Sequence, residues 1–558
     1  MEDGAPRSTR RLAIEAVGIV LLSLVLNLVG NDRVGLWDRD EPRYAACTRE
    51  MRDRGDWLHP TFNGQPRYHK PILIYWLMRF GYAVGGDNPF GARLVSALAG
   101  SATCLLAWRL GRSMAGHQAG LIAALALATA PIVVAESKLA TTDATLALLV
   151  MAAQSCLWSL SKRDSRGVAL GFWASIGLMT LLKGPVGPAL VTASGLAWRW
   201  WGGPSSCWGR LRWRAGFLVF LAVTVPWFAA VGWFSGGEFF RFAIETQVVR
   251  RMATSVEQHG GFPGYYLVVN LAVFYPWSAL VPAALVAAWT RRRTSSASAF
   301  LLGWVVGPWL VLECFGTKMV HYSLPCLPAC AILVGWLLVE AARRGGSLKD
   351  WRLGHAGVKL LGGMGVVATV GLVGCAVVAP KPLLGPCLAM AMALGAGTLL
   401  SRVRLAKAEP IPAAFGLIST WAVVMGLFSA WLLPAAEPYR FSRVVGERLG
   451  SLSRKTGVRP AMMTFQEPGL VYALGRPICD VRGYEEMAAE VREHGPVLVP
   501  LLASEVAEVQ VDPRFTLAVV EPISGFNLNK GKVQGLTFAV VGATRVAASN
   551  SGEQPLVK

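Results

Sequence analysis

The residues best suited to chemistry lie in and after a long polar segment, residues 36–77, of an otherwise apolar half-chain. Its start carries adjacent carboxylates, Asp40 and Glu41, followed by Arg43, and its end carries Lys70. Later apolar runs end in further polar residues, namely Asp143, Lys183, Lys318, His321 and Tyr322. A carboxylate can accept a proton from an attacking hydroxyl, and basic side chains can hold a departing phosphate. These residue types therefore favour chemistry on a phosphate-bearing substrate.

The composition predicts a polytopic α-helical membrane protein. Apolar residues make up 53% of the 558 residues and charged ones only 16%, against about 25% charged residues in soluble domains. Repeated apolar runs are long enough to cross a bilayer core of about 30 Å. Much of the net charge of +20 falls in short loops between these runs, which favours a role in membrane topology over nucleic-acid binding.

The distribution of Lys and Arg predicts about 13 crossings with a cytoplasmic N-terminus. Every second short loop is basic, and all of these loops fall on one side. Residues 31–91 are then an extracytoplasmic loop, in which 71–86 form an interfacial or re-entrant helix. The predicted spans are residues 12–29, 92–110, 118–135, 140–160, 167–182, 184–201, 215–235, 265–288, 297–315, 322–342, 357–379, 383–400 and 411–433.

The chain changes character after Pro434, where apolar fraction and charge become those of a soluble domain. Helical and strand-like patterns alternate there, which predicts a small α/β domain. The helical patterns cover 440–453, 468–474 and 484–493, and the strand-like patterns cover 461–465, 496–501, 515–520 and 535–541. We expect two domains, a transmembrane domain at 1–434 and an extracytoplasmic α/β domain at 435–558.

The ionisable residues at the span ends are expected at one level of the outer leaflet. Charges near a membrane are costly, up to about 2.5–3.5 kcal/mol at the centre of a span, and are functional candidates by default. For Lys183 and Lys318 the alternative is a lysine that reaches the interface without a further role. A lipid-linked sugar donor suits this geometry, because its tail occupies the bilayer and its phosphate lies at the interface. A transporter or flippase for lipid-linked saccharides is the alternative of another class, although no GxxxxGK[ST] nucleotide loop is present.

Several segments, in order, resemble the GT-C glycosyltransferases of the protein O-mannosyltransferase and lipid A aminoarabinose transferase family. The segments are WDRDEPRYAACTREM, GDWLHPTFNG, KPILIYW, ARLVSALAG, TTDATLAL, LLKGPVG, EQHGGFPGYY, KMVHYSLPCLP, FQEPGLVYAL and GFNLNKGK. The resemblance implies the GT-C fold and an inverting glycosyltransferase that uses a polyprenyl-phosphate sugar and no nucleotide sugar directly. It also implies a bacterial inner-membrane location and an extracytoplasmic active site.

The resemblance implies roles for individual residues. Asp40 would be the catalytic carboxylate, and Asp143 the second acid, which contacts the sugar or orients the basic residues. Glu41 would position Arg43, or else be a solvated carboxylate at a helix start. Tyr322 would contact phosphate or sugar, or else be a tyrosine of the interface belt. The residues expected to hold the donor phosphate are Lys70, Lys183, Arg251 and Lys318.

One departure from the family concerns metal binding. The family usually has Glu before the Lys of a KPP sequence, whereas this chain has His69 there and Ile72 in place of the second Pro. With His259, His69 forms a candidate pair of ligands for a divalent metal. We expect that the reaction itself requires no cofactor. The expected acceptor is a lipid A-like glycolipid, with a protein hydroxyl as the alternative.

Overall fold

The computed structural model describes residues 9–37, 40–245, 261–527 and 532–544. Its chain forms two compact units. The first takes in Met1–Leu36 and Cys47–Glu437, and the second takes in Trp37–Ala46 and the chain from Pro438 onward. The predicted domain boundary between residues 434 and 435 stays a prediction.

The chain is mainly helical up to Ala436. The helices are α1 (Thr9–Leu28), α2 (Asp40–Asp53), α3 (Leu73–Gly85), α4 (Pro89–Ala115), α5 (His117–Thr129), α6 (Pro131–Ser137), α7 (Asp143–Lys162), α8 (Arg166–Lys183), α9 (Val186–Trp200), α10 (Ser206–Arg210), α11 (Trp213–Phe234), α12 (Glu238–Phe242), α13 (Tyr265–Val273), α14 (Val281–Arg291), α15 (Ser296–Glu313), α16 (Leu327–Arg343), α17 (Gly354–Val378), α18 (Lys381–Ala406), α19 (Pro410–Leu427) and α20 (Leu433–Ala436). Between them lie 3₁₀ helices at Trp277–Ala279 and Val320–Cys326, a π-helix at Phe428–Leu432, and a hairpin of β1 (Thr61–Phe62) and β2 (Gln65–Pro66).

Within the described residues, nine helices are long and apolar enough to cross a membrane, or up to ten if the bent pair α5 and α6 is one span. The two members of that pair meet at 60°, where Pro131 begins α6. Every predicted span contains helix, but the count of about 13 crossings stays a prediction. The predicted short helix after Pro71 is present as α3, whose 13 residues cover only about 20 Å.

A GxxxG pair brings α9 and α15 together beside the candidate site. A Cβ added at Gly307 would lie 2.5 Å from the carbonyl oxygen of Ala193, and one at Gly303 would lie 2.8 Å from the backbone nitrogen of Trp198. Small residues at this spacing allow helix backbones to approach closely in a membrane. The contact therefore requires glycine at both positions.

Gly307→Ala is expected to lower the free energy of unfolding by about 1–3 kcal/mol, because the added methyl group forces the two backbones apart. Thermal unfolding of the purified protein in detergent measures the effect. Gly371→Ala on α17 is the matched control, since nothing lies within 4 Å of a Cβ there. Equal melting temperatures for the two variants would contradict the close packing.

The second unit contains a five-stranded mixed sheet in the order β4-β3-β5-β7-β6. The strands are β3 (Arg459–Met462), β4 (Cys479–Asp480), β5 (Val497–Leu501), β6 (Phe515–Asn527) and β7 (Lys532–Ala543), and the helices are α21 (Phe441–Thr456), α22 (Pro468–Leu474), α23 (Tyr484–His494) and α24 (Ala503–Val511). Strand β3 pairs in parallel with β4 and β5, whereas β7 pairs antiparallel with β5 and β6. The predicted small α/β fold is confirmed.

Candidate functional site

A cavity of about 510 Å³ in the first unit joins polar and apolar side chains. Its polar lining includes Tyr68, His69, Lys70, Asp143, Lys183 and Tyr322. Its apolar lining includes Leu190 of α9, Phe239 and Phe240 of α12, Leu312 of α15, and Phe315. The cavity therefore presents both charged groups and an apolar wall to one ligand, as an amphipathic molecule requires.

Asp143 and Lys183 form the most buried ion pair of this lining. The Lys183 Nζ lies 2.6 Å from the Asp143 Oδ1, and each side chain is only 9% exposed. Asp143 begins α7, where the helix dipole favours a negative charge, and Lys183 ends α8, just before Gly184 at φ +66°. The ends of neighbouring helices thus bring together residues that are 40 positions apart.

Two aromatic residues of the 3₁₀ turn Val320–Cys326 adjoin this pair. The Lys183 Nζ lies 4.9 Å from the centre of the Tyr322 ring, within range of a cation–π contact. The ring of His321 packs edge-on against Tyr322 at 5.1 Å. Elsewhere in the lining, the exposed His69 packs its ring 4.9 Å from that of Phe242.

Lys318 is held by an acid that the sequence reasoning did not consider. Its ammonium group forms an ion pair with Glu313 and donates to the Phe262 carbonyl at 3.1 Å. The side chain is buried, and Thr317 beside it lines the cavity. Binding of a phosphate by Lys318 would therefore compete with Glu313, and this role stays a prediction.

Asp40, Glu41 and Arg43 belong to the second unit, on the first turn of α2. The Asp40 side chain is 54% exposed, and an Arg43 Nη lies 3.8 Å from its Oδ1. Glu41 is buried, and its Oε2 accepts a 2.7 Å hydrogen bond from the Trp37 backbone amide. Glu41 thus fixes the start of the helix, while the role of Asp40 in catalysis stays a prediction.

The remaining predicted site residues are those expected to bind the donor phosphate or a metal ion. Arg251 and His259 lie outside the described residues. Within the described ranges, no group of three or more His, Cys, Asp or Glu side chains could hold a metal ion. His69 is a suitable ligand type, so the pair of His69 and His259 stays a prediction.

The sequence reasoning missed buried charges at the end of α1. Lys138 donates to the Val29 carbonyl at 2.7 Å, and Arg93 donates to the Val34 and Gly35 carbonyls at 2.7 and 2.8 Å. The Val29 carbonyl lies directly after α1, where carbonyls need such partners, and the other two lie in the segment that follows. These side chains therefore fix where the chain leaves α1 toward the polar segment. The signal was Glu136 and Lys138 directly after an apolar run.

Ion pairs also hold the rest of the polar segment. Arg49 forms two 2.9 Å hydrogen bonds with Asp87, and Arg52 lies 2.9 Å from the same carboxylate. Burial alone would raise the pKa of Asp87, but the bonds and charges of Arg49 and Arg52 hold that pKa below its ordinary value. Together these contacts join α2 to the turn before α4. His69 and Lys70 lie in the stretch of sequence between these two elements.

Comparisons with known proteins identify the relatives of this chain. A family model described as dolichyl-phosphate-mannose-protein mannosyltransferase matches residues 69–229, which contain Lys70, Asp143 and Lys183. Undecaprenyl phosphate-alpha-4-amino-4-deoxy-L-arabinose arabinosyl transferase 2 of Pseudomonas fluorescens is 30% identical over 421 residues, which cover 72% of this chain and 68% of that protein. This chain belongs to that aminoarabinosyl transferase family.

Other members of the aminoarabinosyl transferase family match over shorter stretches. Transferase 1 of Pseudomonas fluorescens is 33% identical over 56% of this chain and 57% of its own length. The Pseudomonas aeruginosa transferase is 32% identical over 61% of this chain and 62% of its own length. The chain thus spans less than two thirds of the length of these relatives.

Solved structures confirm the GT-C fold. The crystal structure of ArnT from Cupriavidus metallidurans bound to undecaprenyl phosphate matches with a TM-score of 0.74, covering 98% of this chain and all of that one at 21% identity. Its apo form also gives 0.74, over 95% of this chain and 98% of that one at 23% identity. At these identities the likeness shows the fold and leaves individual site roles as predictions.

Proposed function

We propose that this protein is an integral-membrane glycosyltransferase that moves a sugar from undecaprenyl phosphate to a lipid A-like glycolipid. The observation that carries the proposal is the cavity in which Lys70 and the Asp143–Lys183 pair share one lining with apolar side chains. An amphipathic anion fits such a lining, with its phosphate near the cations and its isoprenoid chain against the apolar wall. Membership of the aminoarabinosyl transferase family supports aminoarabinose as the sugar.

The proposed reaction breaks the bond between the sugar's anomeric carbon and the donor phosphate oxygen. The acceptor oxygen attacks the opposite face of that carbon, so the configuration inverts. Lys70 and Lys183 stabilise the negative charge that develops on the departing phosphate. Asp40 takes the proton of a hydroxyl acceptor, or orients the sugar if the acceptor oxygen is already anionic.

The proposed location is the bacterial inner membrane, with the site and the C-terminal α/β domain on the extracytoplasmic side. Basic loops on the opposite side support this orientation. The donor and the acceptor are both membrane lipids, so a site at the membrane surface gives access to each.

A second candidate is transfer to a protein hydroxyl. The observation that favours it is the match of residues 69–229 to the protein mannosyltransferase family model. The two candidates share the donor chemistry and differ in the acceptor.

Mass spectrometry of lipid A and of envelope proteins, from cells with and without the gene, tests the function. We expect lipid A carrying an added aminopentose only when the gene is present. Purified protein in vesicles should perform the same transfer from undecaprenyl phosphate-aminoarabinose. Sugar on proteins instead of lipid A would favour the second candidate, and lipid movement across the vesicle bilayer without transfer would indicate a flippase.

A further inference from the structure

A second buried carboxylate lies close to the Asp143–Lys183 pair. Glu136, near the end of α6, is 5% exposed and accepts a 3.4 Å hydrogen bond from the Thr141 hydroxyl. Two buried acids, Glu136 and Asp143, thus lie close to the lysine that the proposed function assigns to the donor phosphate.

The imidazole of His321 lies between the two acids. Its Nδ1 is 3.5 Å from the Glu136 Oε1, and its Nε2 is 3.8 Å from the Asp143 Oδ1. The side chain is 21% exposed and packs against Tyr322. Because an imidazolium ring carries an N–H on each nitrogen, this residue can face a carboxylate on both sides at once.

The His321 ring can offset the negative charge of a buried carboxylate. Buried carboxylates are costly unless each has a cationic or hydrogen-bonding partner. Asp143 has Lys183 at 2.6 Å, and Lys70 lines the same cavity. Because His321 faces Glu136, the Lys183 ammonium group can interact with Asp143 and with an incoming phosphate. Without the imidazole, Glu136 would add negative charge where an anionic ligand must bind.

We propose that His321 is a positioning residue that neutralises Glu136 and so keeps Lys183 available to the donor phosphate. The inference rests on the proposed function for the identity of that ligand. Loss of His321 therefore weakens phosphate binding because the imidazole no longer faces the charge of Glu136.

Binding of undecaprenyl phosphate to the purified full-length protein tests this claim by titration of intrinsic tryptophan fluorescence. His321→Asn is expected to raise the Kd about tenfold, the size of one charged hydrogen bond. Glu136→Gln combined with His321→Asn should return the Kd to within about threefold of Glu136→Gln alone, because the carboxylate charge that the imidazole faces is gone. A purely structural role for His321 would not be rescued by Glu136→Gln.

His355→Asn is the matched control, since this histidine is exposed at the start of α17. His321→Gln, of similar length, provides a second variant if His321→Asn unfolds, and thermal melts identify that case. A double variant that binds no better than its histidine single variant would overturn the inference, as would a single variant that binds like wild type. If the expected binding pattern appears without any sugar transfer, the proposed function fails and the positioning role stands.

Discussion

Asp40→Asn is expected to lower sugar transfer at least about hundredfold, the range of effects seen when a catalytic base is lost. The amide keeps the size of the side chain and removes its basicity. Asp40 has the exposure that a group meeting a second substrate requires, with 54% of its side chain accessible and Arg43 at 3.8 Å. Because its role concerns the acceptor side, the Kd for undecaprenyl phosphate should stay within about threefold of wild type.

Initial rates of transfer in vesicles, at saturating donor, measure this effect. Glu41→Gln separates the two adjacent carboxylates, because Glu41 is bound to the Trp37 amide and its loss should appear mainly as lower thermal stability. Transfer at the wild-type rate by Asp40→Asn would exclude the catalytic role. Loss of donor binding together with transfer would move Asp40 to the donor side.

Lys183→Met is expected to have the second large effect, because it removes one partner of a buried ion pair. Removing one partner of a buried ion pair costs about 3–5 kcal/mol, so the variant should unfold at a clearly lower temperature. Donor affinity should also fall, since the ammonium group is proposed to meet the phosphate. Adding Asp143→Asn should restore much of the stability, because the unpaired carboxylate is gone.

The double variant therefore separates structure from binding. Its melting temperature is expected to recover while its Kd for undecaprenyl phosphate remains at least about tenfold above wild type. Asp164→Asn is a matched control, since the Arg212–Asp164 pair is about half exposed and should contribute less than about 1 kcal/mol. Recovery of both stability and affinity in the double variant would show that Lys183 serves only its ion pair.

The helical part of the fold was largely predictable, since apolar run length and basic loops both report on membrane crossing. Helix α4 covers the predicted span 92–110, and α17 covers all but the last residue of 357–379. The points at which the helices are interrupted were less predictable. The span predicted at 265–288 contains α13, a 3₁₀ turn and α14, because an apolar run alone does not distinguish a continuous helix from an interrupted one.

The α/β domain was predictable in type but less so in its elements. Alternating patterns indicated β5 and α23, whereas α24 was missed and β6 extends well beyond the predicted 515–520. The segment Ala503–Val511 mixes valines with acids, so its helical spacing is weak without knowledge of the strand it packs on.

Within the site, the sequence indicated which residues were candidates but not which of them meet. The Asp143–Lys183 pair depends on how the start of α7 packs against the end of α8. The pairing of Glu136 with His321 joins residues 185 positions apart (321 − 136), and no local pattern indicates such a contact. The sequence makes Lys318 a candidate, but it does not indicate that Glu313, only five positions away, is its partner.

A cryo-electron microscopy map of the purified protein with undecaprenyl phosphate tests the central claim most directly. We expect phosphate density within about 4 Å of the Lys70 or Lys183 Nζ, a distance at which opposite charges pair, and isoprenoid density along the apolar wall near Leu190 and Leu312. Phosphate density outside this cavity, with Lys183 bound only to Asp143, would contradict the account.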